Sequence, residues 1–87
     1  MQAVVRGIVQ GVGFRYFVVE QAAAFGLRGY ARNESNGDVV VLAQGPRPAL
    51  ERLLSRLRQG PPAADVREVL ISWGKPTEHV SGFHVRW

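Results

Sequence analysis

Eighty-seven residues enclose one modest core, so a single domain over 1–87 is the expectation, burying about 60–65% of the surface its unfolded chain exposes. With 46% apolar and 21% charged residues the composition excludes a disordered chain, and the absence of cysteine excludes disulfides, thiolate metal sites and thiol nucleophiles. A formal charge of +4, from 11 basic and 7 acidic residues with arginine supplying all the basic ones but Lys75, favours an anionic partner; genome composition or thermal adaptation also produces such an excess.

The first residues, Met1-Gln2-Ala3-Val4-Val5-Arg6, show no charged segment leading into a long apolar one, and no apolar run approaches the ~20 residues of a membrane span. A cytoplasmic location without membrane contact is the expectation. Residues 3–9 are rich in β-branched side chains and run into the turn-prone Gln10-Gly11-Val12-Gly13, so a strand enters a loop. From Phe14, apolar residues recur at Val18, Ala22 and Phe25 without proline, which predicts a helix directly on the loop, stopped at Gly26 by a left-handed cap. Residues 27–32 resume strand character, and Asn36-Gly37 is expected to supply two positive-φ residues of a tight hairpin before a strand over 38–43. Pro46 and Pro48 suit a helix start, and Leu50, Leu53, Leu54 and Leu57 form one apolar stripe that Gly60-Pro61-Pro62 ends. Residues 66–73 read as a strand, 74–82 as a loop and 83–86 as a short closing strand.

The resulting order is β-α-β-β-α-β with a short additional C-terminal strand. Right-handed crossovers on that order place both helices on one face of an antiparallel sheet whose centre is the first and third strands. The expected class is therefore α+β, a ferredoxin-like two-layer sandwich.

The stretch Gln10-Gly11-Val12-Gly13-Phe14-Arg15 joins a strand end, two glycines that permit unusual backbone angles, and a helix that begins beside an arginine. Loop and first-turn N–H groups can converge there on phosphate oxygens, with the helix dipole and Arg15 adding positive charge. Glycines between strand and helix are also ordinary turn residues, so the loop needs a second feature to become a site. Two other phosphate loops do not fit: Gly13 is followed by Phe14 rather than Lys, and position 16, where a dinucleotide fingerprint needs glycine, is Tyr16.

Gly7-x-Val9-Gln10-Gly11-Val12-x-Phe14-Arg15, followed by Ala22, Gly26-Leu27, Gly29, Arg32-Asn33 and Gly37, resembles the acylphosphatase family across almost the whole chain. The resemblance implies hydrolysis of acyl phosphates, with Gln10, Gly11, Val12, Gly13, Phe14 and Arg15 holding the phosphoryl group. It further implies that Asn33 positions the attacking water, that no metal or cofactor takes part, and that inorganic phosphate is both product and inhibitor. Asn36-Gly37 stands where the family commonly carries Asp-Gly, and Ala31 is smaller than the valine often found there, which implies different packing beneath Asn33. An acyl phosphate already carries a good leaving group, so positioning and charge stabilisation suffice without a covalent intermediate.

His79 and His84 lack ligand-spaced partners and read as surface residues. Trp73, Trp87, Phe17 and Phe83 read as core or edge packing rather than substrate stacking, and Arg6, Arg28 and Arg32 as scattered surface charges able to extend a field toward the loop. Asn33-Glu34-Ser35 fits a glycosylation tripeptide but has no secretory signal beside it. An RNA-recognition domain shares the element order, yet its aromatic signature belongs on the third strand, where Val39-Val40-Val41-Leu42 has none; no nucleic-acid partner is expected. A monomer is the expectation for so small a domain.

Overall fold

The computed structural model describes residues 1–75 and 79–87, so the middle of the expected 74–82 loop lies outside the described residues. In chain order the elements are β1 (Gln2–Ile8), α1 (Phe14–Ala24), β2 (Arg28–Asn33), β3 (Val39–Gln44), α2 (Arg47–Gln59), β4 (Asp65–Ser72) and β5 (Phe83–Arg86). The sheet runs β4-β1-β3-β2-β5. Its first four strands pair antiparallel, with β1 and β3 inside, as the crossover rule requires. β5 adds at the outer edge of β2 and runs parallel to it, Gly29 opposite Phe83 and Arg32 opposite Arg86, which makes the complete sheet mixed.

Alternation along each strand decides which side chains meet the helices. Ala3 and Val5 of β1, Ala31 of β2, and Val39, Val41 and Ala43 of β3 are fully buried in one cluster with Phe14, Val18 and Ala22 of α1 and the leucine stripe of α2. Asn33, two residues beyond Ala31 on β2, shares that helix-covered side. Tyr30 and Arg32 take the other side, where the Arg86 guanidinium lies 3.7 Å from the Tyr30 ring centre. Tyr30 is only 8% exposed beneath it, so it presents no base-stacking surface.

Local chemistry ends each element. α1 closes with Leu27 N–H donating to Ala22 O (2.9 Å) and Gly26 N–H to Ala23 O (3.1 Å), Gly26 at φ 69°. β1 carries an irregularity in its β4 pairing between Arg6 and Gly7; at φ 132° Gly7 lets the strand bend, and a Cβ there would run into the Asp65 carbonyl. The β2–β3 hairpin departs from the sequence expectation: Asn36 does not take positive φ, and Gly37, at φ 98°, is the left-handed residue. Gly37 N–H donates to Glu34 O (3.2 Å), and Glu34 N–H donates to Asp38 O (2.8 Å). Asn36 instead uses its side chain, Oδ1 accepting from Asp38 N–H (3.1 Å) and Nδ2 donating to Asp38 Oδ2 (3.1 Å). A polar side chain that bonds the backbone two residues on competes with the left-handed conformation expected of it.

Candidate active site

Between Ile8 and Phe14 the chain must reverse direction to lay α1 on the sheet. Gly11 and Gly13 make the reversal at φ 74° and 76°, a region that costs a residue with a Cβ roughly 1–2 kcal/mol. An added Cβ at either glycine meets no atom within 4 Å, so the requirement is for backbone conformation and not for space. Gly13 is the N-cap of α1 and has no side chain to satisfy the helix amides. The first closing bond is Phe17 N–H to Gly13 O (3.0 Å), which leaves the amides of Phe14, Arg15 and Tyr16 at the positive end of the helix without intrahelical acceptors.

These residues border a cavity of about 200 Å³ lined by Val9, Gly11, Gly13, Phe14, Arg15, Tyr16 and Asn33. Loop and hairpin are therefore brought together at one cavity, although β3 separates β1 from β2 in the sheet. Arg15 is partly buried, with its guanidinium carbon 4.3 Å from the centre of the Trp87 ring. The ring engages the cation electrostatically and leaves guanidinium N–H groups for other acceptors. Among the described residues no carboxylate pairs with Arg15, whereas Arg32, Arg47 and Arg67 each have one and Arg6 has two. The acids of the adjoining hairpin are already occupied, Glu34 by Arg32 at 2.9 Å and Asp38 by Arg6 at 3.4 Å. Arg6 and Arg32 thus spend their charge locally, and Arg28 lies at the far end of β2 from Asn33.

Asn33 contributes the other half of the site. Its Oδ1 is buried and, among the described residues, has no hydrogen-bond partner. A buried acceptor left unmet costs about 1–3 kcal/mol, so this oxygen calls for a donor, and its residue lines the cavity. A water molecule has the size and the protons to answer it.

Gln10 and Val12 belong to the loop but do not line the cavity. Gln10 turns its amide to the hairpin, Nε2 donating to Glu34 O (2.7 Å) and Asp38 O (2.9 Å). This ties the loop to the turn that immediately follows Asn33. The sequence reading missed Val9, 1% exposed, and Tyr16, 62% exposed, as lining residues; Val9 lies within the signature block and Tyr16 directly follows it, which is the only signal that pointed to them. Of the four packing aromatics, Phe17 and Phe83 pack on the core, whereas Trp73, 41% exposed, and Trp87, 86% exposed, lie outside it with arginines against their rings. His79 and His84 are exposed, as expected.

A larger concavity, about 550 Å³, opens at the opposite pole among Met1, Arg28, Gln44, Pro46, Trp73 and others, and contains none of the loop residues. No helix among the described residues is long and apolar enough to cross a membrane. Among the described residues no group of three or more His, Cys, Asp or Glu side chains stands together as a metal site would require.

The acylphosphatase family model matches residues 1–85. An acylphosphatase from Thermus thermophilus is 48% identical over 83 residues, covering 95% of this chain and 93% of that protein. One from Dehalococcoides mccartyi is 47% identical over 88 residues, covering 100% of this chain and 97% of that protein. The crystal structure of acylphosphatase from Bacillus subtilis matches with a TM-score of 0.95 at 34% identity, over 99% of this chain and 96% of that one. The glycine loop, the unpaired arginine and the buried asparagine thus sit in a fold and a sequence matched along nearly their full length, and the chain belongs to the acylphosphatase family.

Proposed function

We propose that this protein is an acylphosphatase that hydrolyses the carboxyl–phosphate bond of small acyl phosphates to a carboxylate and inorganic phosphate, without a metal or cofactor. The observation that carries the reading is one cavity lined by Arg15, which pairs with no carboxylate among the described residues, by the first residues of α1, whose amides lack intrahelical acceptors, and by Asn33, whose Oδ1 has no partner among the described residues. In this reading the phosphoryl oxygens accept from the amides of the 10–15 loop and first helical turn and from the edge of Arg15. Guanidinium and helix dipole together stabilise the charge that spreads over those oxygens.

A water donates one hydrogen to Asn33 Oδ1, which aims a lone pair at phosphorus in line with the acyl oxygen. The water oxygen bonds to phosphorus, the P–O bond to the acyl group breaks, and its electron pair leaves on the carboxylate. The water's remaining acidic proton passes to a phosphoryl oxygen of the substrate, so no protein base is required. Gln10 contributes by its side-chain tether to the hairpin, which sets the water site against the phosphate site; its own amide is a candidate phosphate donor together with those of Gly11, Val12, Gly13 and Phe14. The protein works as a cytoplasmic monomer of one domain, and inorganic phosphate, as product, occupies the same cradle.

The test is hydrolysis of benzoyl phosphate by the purified protein, followed as loss of ultraviolet absorbance. The reading requires turnover that EDTA leaves unchanged and that phosphate inhibits competitively. An inert protein would remove it, and strong EDTA inhibition would remove its metal-free chemistry.

A further inference from the structure

The concavity of about 550 Å³ at the pole away from the glycine loop falls within the ~300–1,000 Å³ range of pockets that enclose small ligands, and the hydrolysis proposed above makes no use of it. Part of its lining is apolar: Leu42 of β3, Pro46 and Leu50 at the start of α2, and Trp73 just beyond β4. Trp73 stands outside the core cluster, and the Arg47 guanidinium carbon lies 3.6 Å from its ring centre. Another part is cationic. Arg28 and Lys75 line the same concavity; among the described residues neither pairs with a carboxylate, and none of those that line the concavity is acidic. Arg47 by contrast is neutralised by Glu51 at 2.9 Å, so Arg28 and Lys75 are the uncompensated charges there.

The structure assigns this concavity as a second binding site, for a small planar apolar anion of the aromatic carboxylate class, with the ring against Trp73 and its apolar neighbours and the carboxylate toward Arg28 and Lys75. Two uncompensated cations in a concave, partly apolar wall hold an anion more strongly than the same charges on an open surface, where water screens them. A guanidinium offers a carboxylate two parallel N–H donors, and the ammonium adds a further positive charge. The indole and the aliphatic side chains beside it supply the apolar surface against which an aromatic ring leaves water. A cationic ligand would meet two like charges, and a neutral one would leave both unanswered. The concavity shares no lining residue with the catalytic cavity, so its occupancy requires neither Arg15 nor Asn33 and stands apart from the acylphosphatase reading.

The test is a titration of the isotope-labelled full chain with 2-naphthoate, followed by nuclear magnetic resonance of the backbone amides and the indole N–H groups. The expected result is saturable one-site binding with a Kd at or below about 1 mM, its shifts centred on the Trp73 indole and the amides of Gln44, Gly45 and Lys75. Arg28→Gln and Trp73→Ala should each raise Kd about 3- to 10-fold, and the neutral 2-naphthamide should bind more weakly than naphthoate by a similar factor. Both side chains are exposed and lie outside the core cluster, so neither change opens the core. Shifts centred instead on Gly11, Gly13 and Asn33 would put naphthoate in the catalytic cavity and overturn the assignment. So would shifts that do not saturate, a Kd unchanged in either variant, or naphthamide binding as tightly as naphthoate.

Discussion

Gln10 is the joint between the two halves of the site, and its removal has a calculable effect. Its amide donates two partly buried hydrogen bonds, to Glu34 O at 2.7 Å and Asp38 O at 2.9 Å, across 24 and 28 residues of sequence. At roughly 0.5–1.5 kcal/mol each, the pair contributes about 1–3 kcal/mol. Neither carbonyl is stranded in Gln10→Ala, because Glu34 O still accepts from Gly37 N–H and Asp38 O from Glu34 N–H. The loss therefore falls in the lower part of that range, ~1–2 kcal/mol, which lowers the Tm of a domain this size by about 4–16 °C. Gln10→Glu is the sharper variant: nearly isosteric, it replaces a double donor with a carboxylate facing two carbonyl oxygens. It should be less stable than Gln10→Ala at neutral pH, and its deficit should shrink as the pH falls toward the carboxylate range near ~4.3, where the group regains a donor. Loosening the hairpin also moves Asn33 relative to the cradle, so kcat should fall about 10-fold or more while phosphate inhibition changes little. Thermal unfolding by circular dichroism across pH, with kinetics on benzoyl phosphate, provides the assay. A Gln10→Glu variant as stable as the wild type at pH 7 would refute the tether.

Asn33→Ala should lower kcat by ~10² or more with KM little changed; steady-state kinetics check it, with urea unfolding on the same preparation to show that the variant is folded. Gly13→Ala should cost about 1–2 kcal/mol in the same unfolding experiment, all of it from the left-handed backbone, because no neighbour stands within 4 Å of the added methyl. Arg15→Lys retains the charge but loses the planar fork, so the inhibition constant of phosphate should rise about 10-fold, measured by competition at fixed substrate.

The parts of this molecule that could be read from sequence are those that local chemistry decides. The leucine stripe from Leu50 to Leu57, the glycine stop at Gly26 and the strand-loop-helix passage through Gln10 to Arg15 all follow from spacing and backbone preference. Even there the hairpin went astray at Asn36, because a side-chain bond to Asp38 outweighed the positive φ its position suggested. What remained hidden depends on contacts distant along the chain. Nothing near Gln10 announces that its amide reaches the hairpin, nothing near Trp87 that its ring lies on Arg15, and nothing in Phe83–Arg86 that this strand pairs parallel with β2. Exposure was equally illegible: tryptophan is ordinarily a packing residue, and Trp87 stands in solvent.

The central claim is that one concave group of N–H donors and Arg15 grips a phosphoryl group while Asn33 holds the attacking water, and a crystal structure with bound phosphate tests it most directly. The account predicts a tetrahedral anion within hydrogen-bond distance of the amides of residues 11–16 and the edge of the Arg15 guanidinium, and an ordered water on Asn33 Oδ1 in line with phosphorus. Phosphate bound elsewhere, or an Asn33 carboxamide turned away from the anion with no water between them, would contradict it.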